Sequence, residues 1–360
     1  MLRRAGAVLE SRRSVLGLQI VLVVSGVWFR WPTMSYALTE AHAFRQTQTT
    51  TMIREYMTTG LWQISPLPLF GPPWQLPMEF PLFQWLSALG GLLVGASPQI
   101  AGRLGALVCF EICALLAAYL AYRWFSPLAS IVVVGMFQFL PFGIQWGNAP
   151  LIEFLATAGA LFAVVTATRY IDITSRRWIW LATAGMIVAF LVKPTTAIVW
   201  LPAYVAISVR WTADGPWRAN RSRLVLGIPV AGGLIAALAW TRFADAVKGD
   251  SAYTAFLTSS NLSQWNYGTV DQRLDSATWQ YIVSYGEAIY GSLWVWIALL
   301  VVALYVGWNR ALLLGLAVAM PAGAMVFTNL YMMHNYYQSA VFPALALVMA
   351  AGVAIRVADG

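Results

Sequence analysis

The residues here that could do chemistry fall into a few short stretches. Glu40, His42, Arg45 and Gln46 share the run Glu-Ala-His-Ala-Phe-Arg-Gln. Glu79 opens Glu-Phe-Pro, a little downstream of Trp74 in a proline-dense segment. Glu153 ends Asn148-x-Pro150-x-x-Glu153, Lys193 stands at a Lys-Pro step between two apolar runs, and His334 precedes Tyr336 and Tyr337. Carboxylates can take protons or hold cations, and Arg and Lys can hold an anion. Lys193 is the sharpest case. An unpaired Lys deep in an apolar run costs roughly 2.5–3.5 kcal/mol on insertion scales. It must therefore reach an anionic partner or snorkel to the interface. Glu111, in mid-run, is either protonated or paired with an interior polar group. The blander readings make Glu40 and Glu79 solvated loop charges and Tyr336, Tyr337 and Gln338 an interfacial belt. A divalent metal held by Glu40, His42, Glu79 and His334 is open, although nothing in their spacing requires one. Cys109 and Cys113, four apart in one apolar run, lack disulfide geometry.

The elements that must position these residues are set by composition. Sixty per cent of the 360 residues are apolar and 10% are charged, whereas a soluble domain carries about 25% charged residues. So few charges cannot cover a water-facing surface, which excludes a soluble enzyme and a disordered chain and leaves an integral membrane protein. The net charge of +8 matters less than where the charges sit. Apolar runs at 14–34, 101–122, 127–146, 149–169, 178–192, 195–210, 224–243, 288–307, 311–328 and 337–355 predict an all-α bundle of about ten transmembrane helices. The runs on either side of Lys193-Pro194 are the shortest, so broken or tilted helices are expected there. The run 79–96 is ambiguous. Keeping it on the outer side places most Lys and Arg in the cytoplasm, and making it span does not. The positive-inside rule therefore makes it an interfacial or re-entrant helix, with both termini cytoplasmic.

This topology makes 1–360 a single transmembrane domain with two large extracytoplasmic loops, 35–100 and 244–287. Both histidines and most carboxylates then face outward. In loop one, Met52, Ile53, Tyr56 and Met57 recur at helical spacing and Gly60 is a plausible stop, so a surface helix is expected. Six prolines between Pro66 and Pro81, with Phe70 and Trp74, predict a stiff loop suited to a sugar or lipid head group. No internal repeat is visible, which weakens a transporter reading.

Several segments carry a family resemblance. They are His42-x-Phe44-Arg45-Gln46-Thr47-Gln48-Thr49 with Arg54-Glu55-Tyr56 and Gly60-Leu61-Trp62, then Glu79-Phe80-Pro81-Leu82-x-x-Trp85, Asn148-x-Pro150-x-x-Glu153, and Leu191-Val192-Lys193-Pro194. In this order and sidedness the chain resembles the lipid-linked-sugar glycosyltransferases of the GT-C fold. It is most similar to the aminoarabinose transferase / protein O-mannosyltransferase superfamily with its bacterial family-39 relatives. Many members place an Asp-Glu pair where this chain has Arg45-Gln46, and a Lys where it has Phe80. The resemblance implies an inverting transfer of a sugar from a polyprenyl-phosphate donor to a lipid, glycan or protein acceptor. It also implies an active face outside a bacterial-type inner (plasma) membrane, with no required cofactor and no nucleic-acid partner. A loop-one carboxylate would be the base, Glu40 being favoured over Glu79. Arg45 and Lys193 would hold the phosphate, and His42, Gln46, Trp74, Glu153, His334 and Tyr337 would line the substrate. Two other readings stay open: a transporter or flippase of lipid-linked sugars, and a non-catalytic subunit of an envelope assembly complex.

Overall fold

A computed structural model describes residues 12–61, 63–213, 219–306 and 308–354. Arg3, Arg4, Trp62, Arg218 and Arg356, which enter the sequence reading, lie outside these residues. The first helices are α1 (Arg12–Arg30), α2 (Ala43–Thr59), α3 (Leu82–Val94), α4 (Pro98–Trp124), α5 (Pro127–Phe139), α6 (Pro141–Trp146), α7 (Glu153–Ile173) and α8 (Arg176–Val192). They are followed by α9 (Leu201–Ala213), α10 (Ala219–Gly249), α11 (Ser263–Tyr267), α12 (Val270–Leu274), α13 (Ser276–Tyr290) and α14 (Leu293–Tyr305). The last are α15 (Arg310–Val326), α16 (Thr328–Met333) and α17 (Phe342–Val353). Among the described residues the only extended pairing is an isolated bridge between Pro66 and Gln75.

Local chemistry explains many of the boundaries. Ser97 and Ser126 cap α4 and α5 through their hydroxyls, each with proline in the first turn. Gly95, at φ +66°, closes α3, and the Ala96 N–H returns to the Gly91 carbonyl. The expected run 127–146 is broken, because Pro141 cannot continue α5 and the chain restarts as α6. Arg30 answers the two carbonyls freed by that break, those of Phe137 and Gln138, and also reaches Gly143 beyond it. It donates to the Phe137, Gln138 and Gly143 oxygens at 3.1, 2.9 and 3.1 Å, and to the Gln138 side chain at 2.8 Å. Gln138 in turn donates to Glu111 at 2.7 Å, so Glu111 takes the paired form of the two expected for it.

Among the described residues, four helical stretches are long and apolar enough to cross a bilayer: Arg12–Ser35, Pro98–Trp124, Glu153–Ile173 and Val225–Gly249. Ser276–Ala288 and Leu293–Tyr305 pass the same test only as a pair bent by 78°, and five shorter apolar helices complete a polytopic all-α bundle. Helix α3 has 13 residues, about 20 Å at 1.5 Å per residue, too short to cross a hydrocarbon core of about 30 Å by itself. Helix α10 runs to Gly249, a few residues past position 244, where the second loop is expected to begin. Helix α7 is the buried axis, with 78% of its apolar window covered. It meets α8 where Gly159 and Gly185 face each other. A Cβ on Gly185 would lie 2.7 Å from the Gly159 carbonyl. The break at Lys193-Pro194 is present: Lys193 is extended (φ −160°, ψ 95°), and Pro194 opens a short helical turn.

Candidate active site

The charged residues meet where α2, the Met78–Phe80 strap, the start of α7 and the Lys193 break converge. Glu79 forms an ion pair with Arg45, and Glu153 forms one with Lys193. The Lys193 ammonium also lies 3.9 Å from Glu79, which joins the two pairs into one network. Lys193 and Glu153 are 3% and 1% exposed, so this is an interior cluster rather than a surface one. Beneath the ammonium are ring faces, with Tyr337 at 4.2 Å and Tyr336 at 5.5 Å. Such cation–π contacts suit a cation withdrawn from water.

Neighbouring segments hold these groups in place. The Phe80 N–H donates to the Leu191 carbonyl at 3.1 Å, and Trp240 of α10 donates to the Met78 carbonyl at 3.0 Å. The backbone on both sides of Glu79 is therefore tethered. Gln48, one turn along α2, accepts from Arg45 at 2.8 Å. His42 precedes α2 in the left-handed region (φ 57°, ψ 37°), and its carbonyl accepts from the Arg45 and Gln46 N–H groups. A non-glycine residue there costs roughly 1–2 kcal/mol. The conformation turns the imidazole toward a ring cluster in which its centroid lies 4.8 Å from Tyr336, 5.2 Å from His334 and 6.0 Å from Trp146.

Electrostatics follow from the packing. Burial works to raise the Glu79 pKa, but the charges of Arg45 and Lys193 and the Arg45 hydrogen bond outweigh it and hold it at about 2. The His334 imidazole is pushed down to about 4, first by burial and then by the positive fields of His42, Lys193 and Arg45. Burial also lowers His42, partly offset by its hydrogen bond to Asn335 and the charge of Glu153. At neutral pH the site thus holds an ionised Glu79 beside uncharged imidazoles.

An apolar groove of about 760 Å³ is lined by Tyr56, Leu61, Phe80, Trp85, Leu191 and Trp240 among others. Phe80 immediately follows Glu79, and Leu191 lies two residues before Lys193, so the groove borders the segments that carry these two charges.

The expected site residues divide into two groups. Arg45, Glu79, Glu153, Lys193, Tyr337, His42 and His334 are brought together. Glu40 is drawn elsewhere, to Arg103 at 2.7 Å, and is 40% exposed. Arg45 does not take the nearby Glu40 as its partner, because Glu79 occupies that guanidinium. Gln46 is buried and turned back to the Ala41 carbonyl at 3.0 Å, and Trp74 stands 52% exposed on the proline-rich loop. Among the described residues no three His, Cys, Asp or Glu come together in a metal-holding group. Sequence reasoning passed over Arg103, Trp146, Gln48 and Trp265, which lies 6.1 Å from His334. Arg103 carried a usable signal, being an arginine in the first turn of a long apolar run.

No protein-family model and no curated protein matches the chain. Solved structures do. ArnT from Cupriavidus metallidurans bound to undecaprenyl phosphate superposes with a TM-score of 0.63 over 94% of this chain, at 16% identity. The apo state of the same protein gives 0.60 over 93% of the chain, also at 16% identity. The fold is GT-C. The chain spans 59% of the length of those ArnT chains, and at this identity the likeness concerns the fold alone. On this GT-C frame, the Arg45–Glu79 and Lys193–Glu153 pairs come from α2, the Met78–Phe80 strap, the start of α7 and the break that follows α8.

Proposed function

We propose that this protein is a membrane glycosyltransferase that moves a sugar, with inversion, from a polyprenyl-phosphate donor to an acceptor on the extracytoplasmic face of the inner (plasma) membrane. The observation that carries the reading is a charged cluster on segments whose neighbouring residues, Phe80 and Leu191, line an apolar groove. A polyprenyl phosphate has the same two parts, a long hydrocarbon and an anionic head. The groove suits the isoprenoid chain, and Arg45 and Lys193 suit the phosphate that leaves with a growing charge. One ArnT structure of the same fold holds undecaprenyl phosphate, which agrees with this class of donor.

Transfer also needs a group to take the acceptor's proton. Of the two loop-one carboxylates weighed as the base, Glu40 and Glu79, Glu79 is the better placed. It shares the site with both cations, whereas Glu40 neutralises Arg103 at a solvent-facing position. The ring cluster of His42, Trp146, Tyr336 and His334 supplies flat faces and polar edges beside the phosphate, which suits a sugar ring. Incubation of purified protein with a radiolabelled polyprenyl-phosphate sugar and membrane extract tests the reading. Glu79→Gln is expected to slow transfer by about 10²–10⁴-fold, and Glu40→Gln by less. Unchanged transfer in Glu79→Gln would remove Glu79 as the base, and no transfer by the wild type would remove the function.

A further inference from the structure

The resting arrangement poses a problem for the proposed base, and its resolution rests on the reading above. Glu79 is clamped between Arg45 and Lys193, the same cations that a donor phosphate needs. A carboxylate held in that way is a weak proton acceptor, because useful bases have proton affinities near the working pH. We propose that the donor's phosphate takes the place of the Glu79 carboxylate on Arg45 and Lys193, and that Glu79, once displaced, becomes the base. The empty enzyme would then keep its anion site closed and its base silent with a single ion pair.

Two independent features support the exchange. First, the tethers at the Met78 carbonyl and the Phe80 N–H fix the backbone but leave the Glu79 side chain free to turn. Second, an acceptor waits beside it. Gln84 of α3 is 5% exposed, and its Oε1 has no hydrogen-bond partner. Gln84, Glu79 and Arg45 line one small enclosed void of about 10 Å³. An ionised carboxylate cannot donate to an amide oxygen, whereas a protonated one can. The orphaned oxygen therefore matches Glu79 in the form that follows proton transfer, not in its resting form.

The step balances as follows. The acceptor oxygen forms a bond to the sugar's anomeric carbon as the bond from that carbon to the phosphate oxygen breaks. The acceptor's proton goes to Glu79. The polyprenyl phosphate leaves with one more negative charge than the bound donor carried, and that charge remains on Arg45 and Lys193. Release of the product lets Glu79 lose its proton and return to Arg45.

The exchange predicts effects of opposite sign, which a merely structural role would not produce. Glu79→Gln removes the anion that competes with the phosphate, so undecaprenyl phosphate should bind at least about tenfold tighter, equal to ~1.4 kcal/mol. Sugar transfer should fall in the same variant. Glu79→Asp keeps the charge but pulls it back from Arg45 by one methylene. It should bind the lipid phosphate more tightly than wild type while retaining part of the transfer. Binding would be read on the full chain in nanodiscs with undecaprenyl phosphate as the ligand. Tighter binding with slower transfer in both variants supports the exchange. Equal or weaker binding in both overturns it while leaving glycosyl transfer standing. Tighter binding with unaltered transfer overturns the base role. A wild-type protein that binds no undecaprenyl phosphate overturns the underlying function instead.

Discussion

Lys193→Met is the most informative perturbation of stability. The ammonium touches Glu153 directly, lies 3.9 Å from Glu79 and sits over the Tyr337 and Tyr336 rings at 4.2 and 5.5 Å. Its loss leaves Glu153 charged, 1% exposed and without its cation, and Glu153 Oε2 already lacks a partner. Breaking a buried pair from one side in this way costs about 3–5 kcal/mol, mainly because the remaining charge is uncompensated. The reverse change, Glu153→Gln, should be milder at about 1–3 kcal/mol. Lys193 then keeps Glu79 and two ring faces, and the new amide can still accept from it. The double variant Lys193→Met/Glu153→Leu should regain much of the loss, since replacing both charges by apolar groups removes the desolvation penalty. Thermal unfolding of the detergent-solubilised protein measures all three. A Lys193→Met stability within about 1 kcal/mol of wild type, or a double variant no more stable than Lys193→Met alone, would refute this account.

Other outcomes follow from the same contacts. His334 holds its proton less tightly folded, at about 4, than in an unfolded chain, at about 6.5. Between those values the unfolded chain binds more protons, so this contribution is complete above about pH 6.5 and fades as pH falls toward 4. A thermal-shift series should show that decline in wild type and less of it in His334→Gln. Glu79, depressed to about 2, adds a second loss below about pH 4.5, absent from Glu79→Gln. Arg103→Met removes the donor that holds Glu40 and the Tyr36 carbonyl. It should raise hydrogen exchange across residues 36–40, with a loss of about 1.5–3 kcal/mol. Gly185→Val drives a side chain into the Gly159 carbonyl of α7 and should lower stability by about 1–3 kcal/mol or more, whereas Gly90→Ala, facing open space, should not.

Much of the bundle was legible in one dimension. Low charge and long apolar runs require a bilayer whatever the packing, because each residue's transfer energy is local. Helix starts and stops likewise rest on nearby atoms: Ser97, Ser126, Gly60, Gly95, Pro141 and Pro194 act within a turn of themselves, although only the Gly60 stop and the break at Lys193-Pro194 were expected. Lys193 was legible as a residue in need of an anion for the same reason. Arg30 was not. Its role depends on carbonyls more than 100 residues away that Pro141 sets free.

Which charge meets which was decided only by the tertiary structure. Glu40 and Glu79 are near-equivalent in sequence, and Glu40 is nearer to Arg45 along the chain. Folding reverses that order. Helix α4 carries Arg103 to Glu40, and the strap tethered to Leu191 and Trp240 carries Glu79 to Arg45. Sequence distance says little about ion pairs, because their energy falls off over a few ångströms in space. The residue types determined that a membrane protein carrying a small set of acids, bases and rings was present. The packing of α2 against the strap and the Lys193 break decided which of those groups share one site, and so which carboxylate stands beside the cations.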